Sequence, residues 1–235
     1  MLITVNPVDG NRIRTVRRRL TGWWEEDNGG LLFPWRSREI SPYQALIIEV
    51  LLQRTRAEAV NRMQGEFFRM FPEPKALCSA SEKEIQNAIN SLGLSWRARK
   101  LRELGCAIVN GIPDKMDDLV GLPGVGPYAA GAYLSFHRGK RAIIPDANMV
   151  RILGRLFGFQ VTPETRRSRA FLEFCDRVTP KRNFRDFNYA VLDFGRLICK
   201  PRKPLCSECF LNDVCEYAGL HSGKGGKVGE KDDYI

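Results

Sequence analysis

Residues 199–215, CKPRKPLCSECFLNDVC, hold four of the seven cysteines of the chain. Thiols spaced this closely cross-link, sit unliganded in a core, or gather on one metal object, and each outcome ties the segment into a single compact loop. The spacing C-x6-C-x2-C-x5-C lacks the two C-x2-C pairs of a zinc ribbon. One such pair flanked by intermediate gaps suits a loop wrapped round an iron–sulfur cube, with Cys199, Cys206, Cys209 and Cys215 as ligands. A four-cysteine zinc site and unliganded buried cysteines remain the alternatives. The insert KPRKP at 200–204 is basic and stiff, so the loop also suits a surface facing phosphate. Cys78, Cys106 and Cys175 lie on or beside predicted helices and read as core residues.

Clustered cysteines favour a metal over disulfides in a reducing compartment. The opening MLITVNPVDGNRIRTVRRRL has no apolar stretch after its basic residues, so no secretory signal is read. The longest apolar run, 45–52 with Glu49 inside it, is too short and too charged to span a bilayer. The expectation is a cytoplasmic protein, nucleoid-associated if prokaryotic, with no membrane partner. A formal net charge of +10 points to a polyanionic partner, of which nucleic acid is the commonest. Arg12, Arg14, Arg17, Arg18 and Arg19 either face phosphate or form the solvated side of an N-terminal helix.

The chain reads as all-α. SPYQALIIEVLLQRT at 41–55 opens with Ser41 as N-cap and Pro42 at the first helical position, and its apolar residues run nearly all round, as a buried central helix requires. Further helices are expected at 57–70, 81–92, 96–110, 116–120, 128–136, 147–157, 165–178 and 187–198, the second opened by a Ser81/Glu84 capping box. One short strand is expected at 141–144. The glycine- and charge-rich tail HSGKGGKVGEKDDYI reads as disordered.

LPGVGPY at 122–128 lies between two of these helices. Gly124 and Gly126, separated by Val125, permit a tight turn with positive φ angles. Successive N–H groups at the start of the next helix then form a nest for an anion, gripping a phosphate without reading a base. A plain helix–helix turn is the alternative.

LPGVGPYAAGAYLSF, the aspartate of IIPDANMVRIL, the helix IIEVLLQRT and the cysteine loop together resemble the helix–hairpin–helix DNA glycosylases that carry a [4Fe-4S] cluster. That superfamily includes endonuclease III, the MutY-type adenine glycosylases and the thymine–DNA mismatch glycosylases. The likeness runs from about Trp23 to Cys215. It implies a six-helix barrel from the middle of the chain (40–146) and a helical iron–sulfur domain from both ends (1–39 and 147–218), followed by a flexible tail at 219–235, with double-stranded DNA in the groove between the domains. It further implies a monomer, a mismatched or damaged base as target, a monovalent cation at the hairpin, and DNA contacts from Leu122, Gly124, Val125 and Gly126.

Asp146 opens the helix ANMVRIL, where an aspartate caps readily; the resemblance also makes it the carboxylate that stabilises positive charge developing on the sugar as an N-glycosidic bond breaks. Glu49 is the one acid amid Ala45, Leu46, Ile47, Ile48, Val50, Leu51 and Leu52. Burial favours its protonated form, which suits a general acid toward a departing base; the alternative is a glutamate paired with one of the many arginines. Tyr128 stands where endonuclease III-like enzymes carry a nucleophilic lysine. Without that amine no Schiff base forms, so the expected reaction is monofunctional, and Tyr128 lines the base pocket or simply packs. Gln53, one turn after Glu49, and Arg54 fall where the family fills the gap left by a flipped nucleotide, with Gln53 the candidate wedge.

The base follows less directly. PDANMVRIL, GLSWRARKL and RDFNYAVLDF look closest to the thymine mismatch enzymes, which implies removal of thymine or uracil opposite guanine. Gln53 leans toward the adenine branch, so a MutY-like enzyme acting on adenine opposite 8-oxoguanine is the first alternative. A cluster-bearing DNA-binding protein without chemistry is the alternative of another class.

Overall fold

The structure, a computed structural model, describes residues 9–26, 33–36, 40–93 and 96–221. Its regular elements are helical: α1 (Gly10–Glu26), α2 (Pro42–Leu51), α3 (Ala57–Met70), α4 (Pro74–Ser79), α5 (Glu82–Ala88), α6 (Arg97–Ala107), α7 (Met116–Val120), α8 (Pro127–Ala132), α9 (Ala147–Phe157), α10 (Arg169–Val178), α11 (Phe184–Leu197) and α12 (Glu216–His221). The strand expected at 141–144 is absent, since 139–146 have no regular structure. A strand needs a neighbour to take its backbone hydrogen bonds, and no other described residue supplies one. The expected flexible tail begins too early at 219, because α12 runs to His221; residues 222–235 lie outside the described residues.

The chain forms two compact units. Among the described residues, unit 1 takes 9–26 and 143–221 and unit 2 takes 33–36, 40–93 and 96–142. The second break falls after Ala142 rather than after residue 146, which gives Asp146 to unit 1.

In unit 1, α1 packs along α11 through Ile13, Val16, Leu20 and Trp24, all buried. Indole Nε1 of Trp24 donates to Asp193 Oδ2 at 3.1 Å. The arginines of α1 divide into two sets. Arg14 and Arg18 are exposed, while Arg12, Arg17 and Arg19 reach inward. Arg12 donates to the carbonyls of Leu156 (2.6 Å) and Val214 (3.0 Å from Nε), Arg17 to Val178 (2.7 Å), and Arg19 to Phe210 (3.0 Å). Those three are tethers rather than a phosphate-facing strip, because each satisfies carbonyls left over at helix ends and turns.

In unit 2, α2 is central, with Tyr43 and every residue from Ala45 to Leu51 buried. Ser41 caps it, and Gln44 completes a capping box, its Oε1 accepting from Ser41 N at 3.0 Å. The helix stops at Leu51, short of Thr55. Residues 52–54 turn, Arg54 takes φ 55°, and the freed Leu51 carbonyl accepts from Nη1 of buried Arg97 at 2.8 Å. The capping box at α5 forms as expected, Glu84 accepting from Ser81 N at 2.8 Å.

Cys78 and Cys106 are not core residues. A disulfide joins them, with Cα atoms 4.6 Å apart; Cys106 is exposed and Cys78 half-buried. The reason lies in α4, a helix the sequence does not announce, which packs closely on α6. Gly105 allows the approach, since a β-carbon there would stand 3.0 Å from Cys78 N. Cys175 does lie in the core, fully buried on α10.

Candidate active site

The hairpin of unit 2 joins α7 to α8. Gly124 takes φ 77°, the left-handed conformation that favours glycine. Gly126 does not share it: with φ −99° and ψ 177° it is the extended N-cap of α8, and Pro127 follows at the first helical position. Val125 closes the turn by donating its N–H to Leu122 O at 3.1 Å, and its side chain is buried. Neither group of Val125 is offered outward, which leaves the expected nest to the N–H groups of its neighbours. Leu122 and Tyr128 are partly buried against the unit 2 core.

Gln53 lies in the turn after α2, not on the helix, and its Nε2 donates to Gly124 O at 3.0 Å. The amide thus braces the hairpin backbone, while Arg54 beside it is exposed. Glu49 is paired, but not with an arginine. His137 Nε2 lies 2.9 Å from Glu49 Oε1, and both side chains are almost fully buried. His137 ends a π-helical turn, Tyr133–His137, that continues α8 and packs on α2.

In unit 1, Asp146 performs the capping role. Its Oδ1 accepts from Met149 N at 2.7 Å and its Oδ2 from Asn148 Nδ2 at 2.7 Å. Burial raises its carboxyl above the usual range; the Met149 and Asn148 hydrogen bonds and the charge of Arg151 oppose that shift without cancelling it. The bonding continues. Asn148 Oδ1 accepts from Arg151 Nη2 at 2.8 Å, and Arg151 Nε donates to Cys199 O at 3.0 Å. Asp146 is therefore linked through two side chains to the backbone of the first cysteine in the loop.

The four cysteines line one cavity with an empty volume of about 360 Å³, counting the solvent at its mouth, together with Arg155, Tyr217 and Leu205. Buried Arg155 on α9 shapes the loop, donating to Lys200 O (2.7 Å), Pro201 O (2.8 Å) and Cys199 Sγ (3.5 Å). Leu211 N donates to Cys209 Sγ at 3.4 Å. Burial, then the neighbouring sulfurs, push the thiols of Cys206 and Cys215 up and that of Cys209 to about 11. A set of thiolates here calls for positive charge among them, which iron supplies. Four cysteine sulfurs lining one cavity are a soft donor set of the kind an iron–sulfur cluster takes.

Residues 47–177 match the HhH-GPD superfamily of base excision DNA repair proteins. The chain belongs to that superfamily. Residues 199–215 match the iron–sulfur binding domain of endonuclease III, so this superfamily member carries an iron–sulfur cluster, and the four cysteines are the residues that would hold it. Over 218 residues the chain is 38% identical to the thymine-DNA glycosylase of Aeropyrum pernix, an overlap of 89% of this chain and 97% of that one. It is 34% identical over 200 residues to the thymine/uracil-DNA glycosylase of Methanothermobacter thermautotrophicus, covering 83% and 89%. The solved structure of a thermostable thymine-DNA glycosylase superposes with a TM-score of 0.81 at 32% identity, covering 89% of this chain and 98% of that one.

Four residues of these sites escape a reading of the sequence. Arg151 and Arg155 stand four apart on a helix otherwise nearly all apolar, a pattern that flags buried cations in need of acceptors. Asn148 shares the capping turn with Asp146, where such side chains bond locally. His137 is one of only two histidines and ends an apolar helix, but nothing in the sequence points it at Glu49, 88 positions earlier.

Proposed function

We propose that the protein is a monofunctional DNA glycosylase that removes thymine or uracil opposite guanine from double-stranded DNA, acting as a monomer. The observation that carries the reading is near full-length similarity to thymine- and thymine/uracil-DNA glycosylases. It is supported by two carboxylates whose settings suit two roles. Asp146, held by three groups at a helix start, faces the sugar as its positive charge develops. Glu49, buried beside the His137 imidazole, hands a proton to the departing base. The glycosidic bond breaks with its electron pair on the base, water oxygen bonds to C1′, and the proton the water sheds restores the acid. One water is consumed and the backbone stays intact.

Tyr128 replaces the amine that β-elimination requires, and Lys140 is engaged with Asp114, its Nζ 3.0 Å from the Asp114 carbonyl. The hairpin grips backbone phosphate through main-chain N–H groups, with Gln53 holding its shape. The cluster, when bound, supplies a rigid iron–sulfide body round which loop 199–215 closes; hydrolysis asks no electron of it.

Single-turnover base release tests the reading on duplexes carrying G·T, G·U, or adenine opposite 8-oxoguanine, each read with and without alkali. Alkali-dependent cleavage at G·T or G·U is expected. Release of adenine alone would move the protein to the adenine branch, and silence on all three with intact binding would leave a DNA-binding protein.

A further inference from the structure

The Glu49–His137 pair has a chemistry that neither partner has alone. With 2% and 5% of their side chains exposed, the two groups lie 2.9 Å apart on α2 and on the π turn that ends α8. An isolated ionised carboxylate at that depth is costly, and a hydrogen bond to imidazole offsets the cost. An arginine in the same place would hold the carboxylate permanently ionised, whereas an imidazole can donate without carrying charge and so leaves the acid able to hold its proton. The π turn matters here. It resets the rotation of the helix at its last residue, bringing His137 onto α2, and such turns gather at functional sites.

We propose that His137 is a positioning residue for base release, acting through Glu49. As a neutral imidazole it donates from Nε2–H to Oε1, which fixes the carboxyl rotamer and keeps the acidic proton on Oε2. The same N–H holds the carboxylate after that proton has passed to the departing base. This rests on the reading of Glu49 as the acid. The proton count is that of the hydrolysis above: the base leaves with the Oε2 proton, water returns one, and His137 begins and ends neutral.

The test is a double-mutant cycle in single-turnover base release from G·T and G·U duplexes, with His137→Phe, His137→Gln, Glu49→Gln and the Glu49→Gln/His137→Phe pair. His137→Phe keeps a ring and loses the donor; it is expected to slow release about a hundredfold with duplex affinity unchanged. His137→Gln keeps an N–H at similar reach and is expected to stay within about tenfold of the unmodified protein. In the Glu49→Gln background, His137→Phe should add less than about twofold, since groups that act as a unit are not additive. The loss should shrink on a duplex with 5-fluorouracil opposite guanine, whose base departs more readily as an anion and needs less acid. A purely structural role would move none of these last three readouts. Full additivity with Glu49→Gln, or His137→Phe turning over at the unmodified rate, overturns the proposal. If His137→Phe does not fold, as thermal melting will show, the cycle is run with His137→Gln, and an unrescued hundredfold loss there overturns it. Glu49→Gln active at full rate would sink the acid assignment and this inference with it, whereas an unmodified protein silent on every duplex would sink the glycosylase reading itself.

Discussion

The Cys78–Cys106 disulfide gives the most direct quantitative prediction. It ties α4 to α6 and closes a loop with a sequence separation of 28. Cross-linking such a loop removes chain entropy from the unfolded state, and for that length the loop-closure relation gives about 3.5 kcal/mol at 25 °C. For a chain of 235 residues, 1 kcal/mol moves the melting temperature by about 2–4 °C, so Cys106→Ser should melt on the order of 10 °C below the unmodified protein. Serine fills the site without a cavity, and the position is exposed, so little else changes. Scanning calorimetry of Cys78→Ser, Cys106→Ser and the double variant checks the reasoning, with intact mass after thiol alkylation counting the free cysteines. All three should melt together, because each deletes the same cross-link. A single variant melting within about 2 °C of the unmodified protein would refute the entropic argument. Alkylation of Cys78 and Cys106 in the native, unreduced protein would refute the bond itself.

Three further outcomes follow from unit 1. Asparagine at position 146 can still cap α9 but carries no charge, so Asp146→Asn should abolish base release while melting within about 1 kcal/mol of the unmodified protein. With burial raising the Asp146 carboxyl, the charged form that the proposed reaction uses is lost as pH falls through that raised value, and single-turnover rates measured across the acid range should decline above the usual aspartate pH. Arg155→Leu strips donors from Lys200 O, Pro201 O and Cys199 Sγ, and should cost the protein most of its cluster, read as lost iron and visible absorbance at unchanged α-helix content.

Much of this architecture can be read from local chemistry. Ser41-Pro42 and Ser81/Glu84 announce the starts of α2 and α5 because a capping box spans only four residues. The spacing of the cysteine loop foretells a cluster because the loop itself is the site. Ends and pairings are harder. The stop of α2 at Leu51 depends on Arg97, 46 positions on, which takes the freed carbonyl. The partner of Glu49 is fixed by a π turn that no propensity scale foresees. Arg12, Arg17 and Arg19 look like surface charge because each takes a backbone carbonyl, which no sequence pattern marks, and the acids that Arg12 and Arg19 also meet, Glu216 and Asp213, stand 204 and 194 positions away. Asp146 is legible as a cap because the N–H it accepts, that of Met149, lies only three residues on.

The way α1 is held also sets an order in time. The tethers and ring contacts of its arginines and tryptophans reach into the second half of the chain, the farthest joining Arg12 to Glu216 across 204 positions. At about 5–20 residues per second a ribosome needs roughly 10–40 s to cover that interval. Unit 2 is contiguous and has all its described residues in hand once Ala142 is out. Until α11 has emerged, Ile13, Val16, Leu20 and Trp24 form an apolar stripe without the helix they pack on. The cysteine loop and α12 follow α11 directly, so the docking of α1 and the loading of the metal fall close together in time.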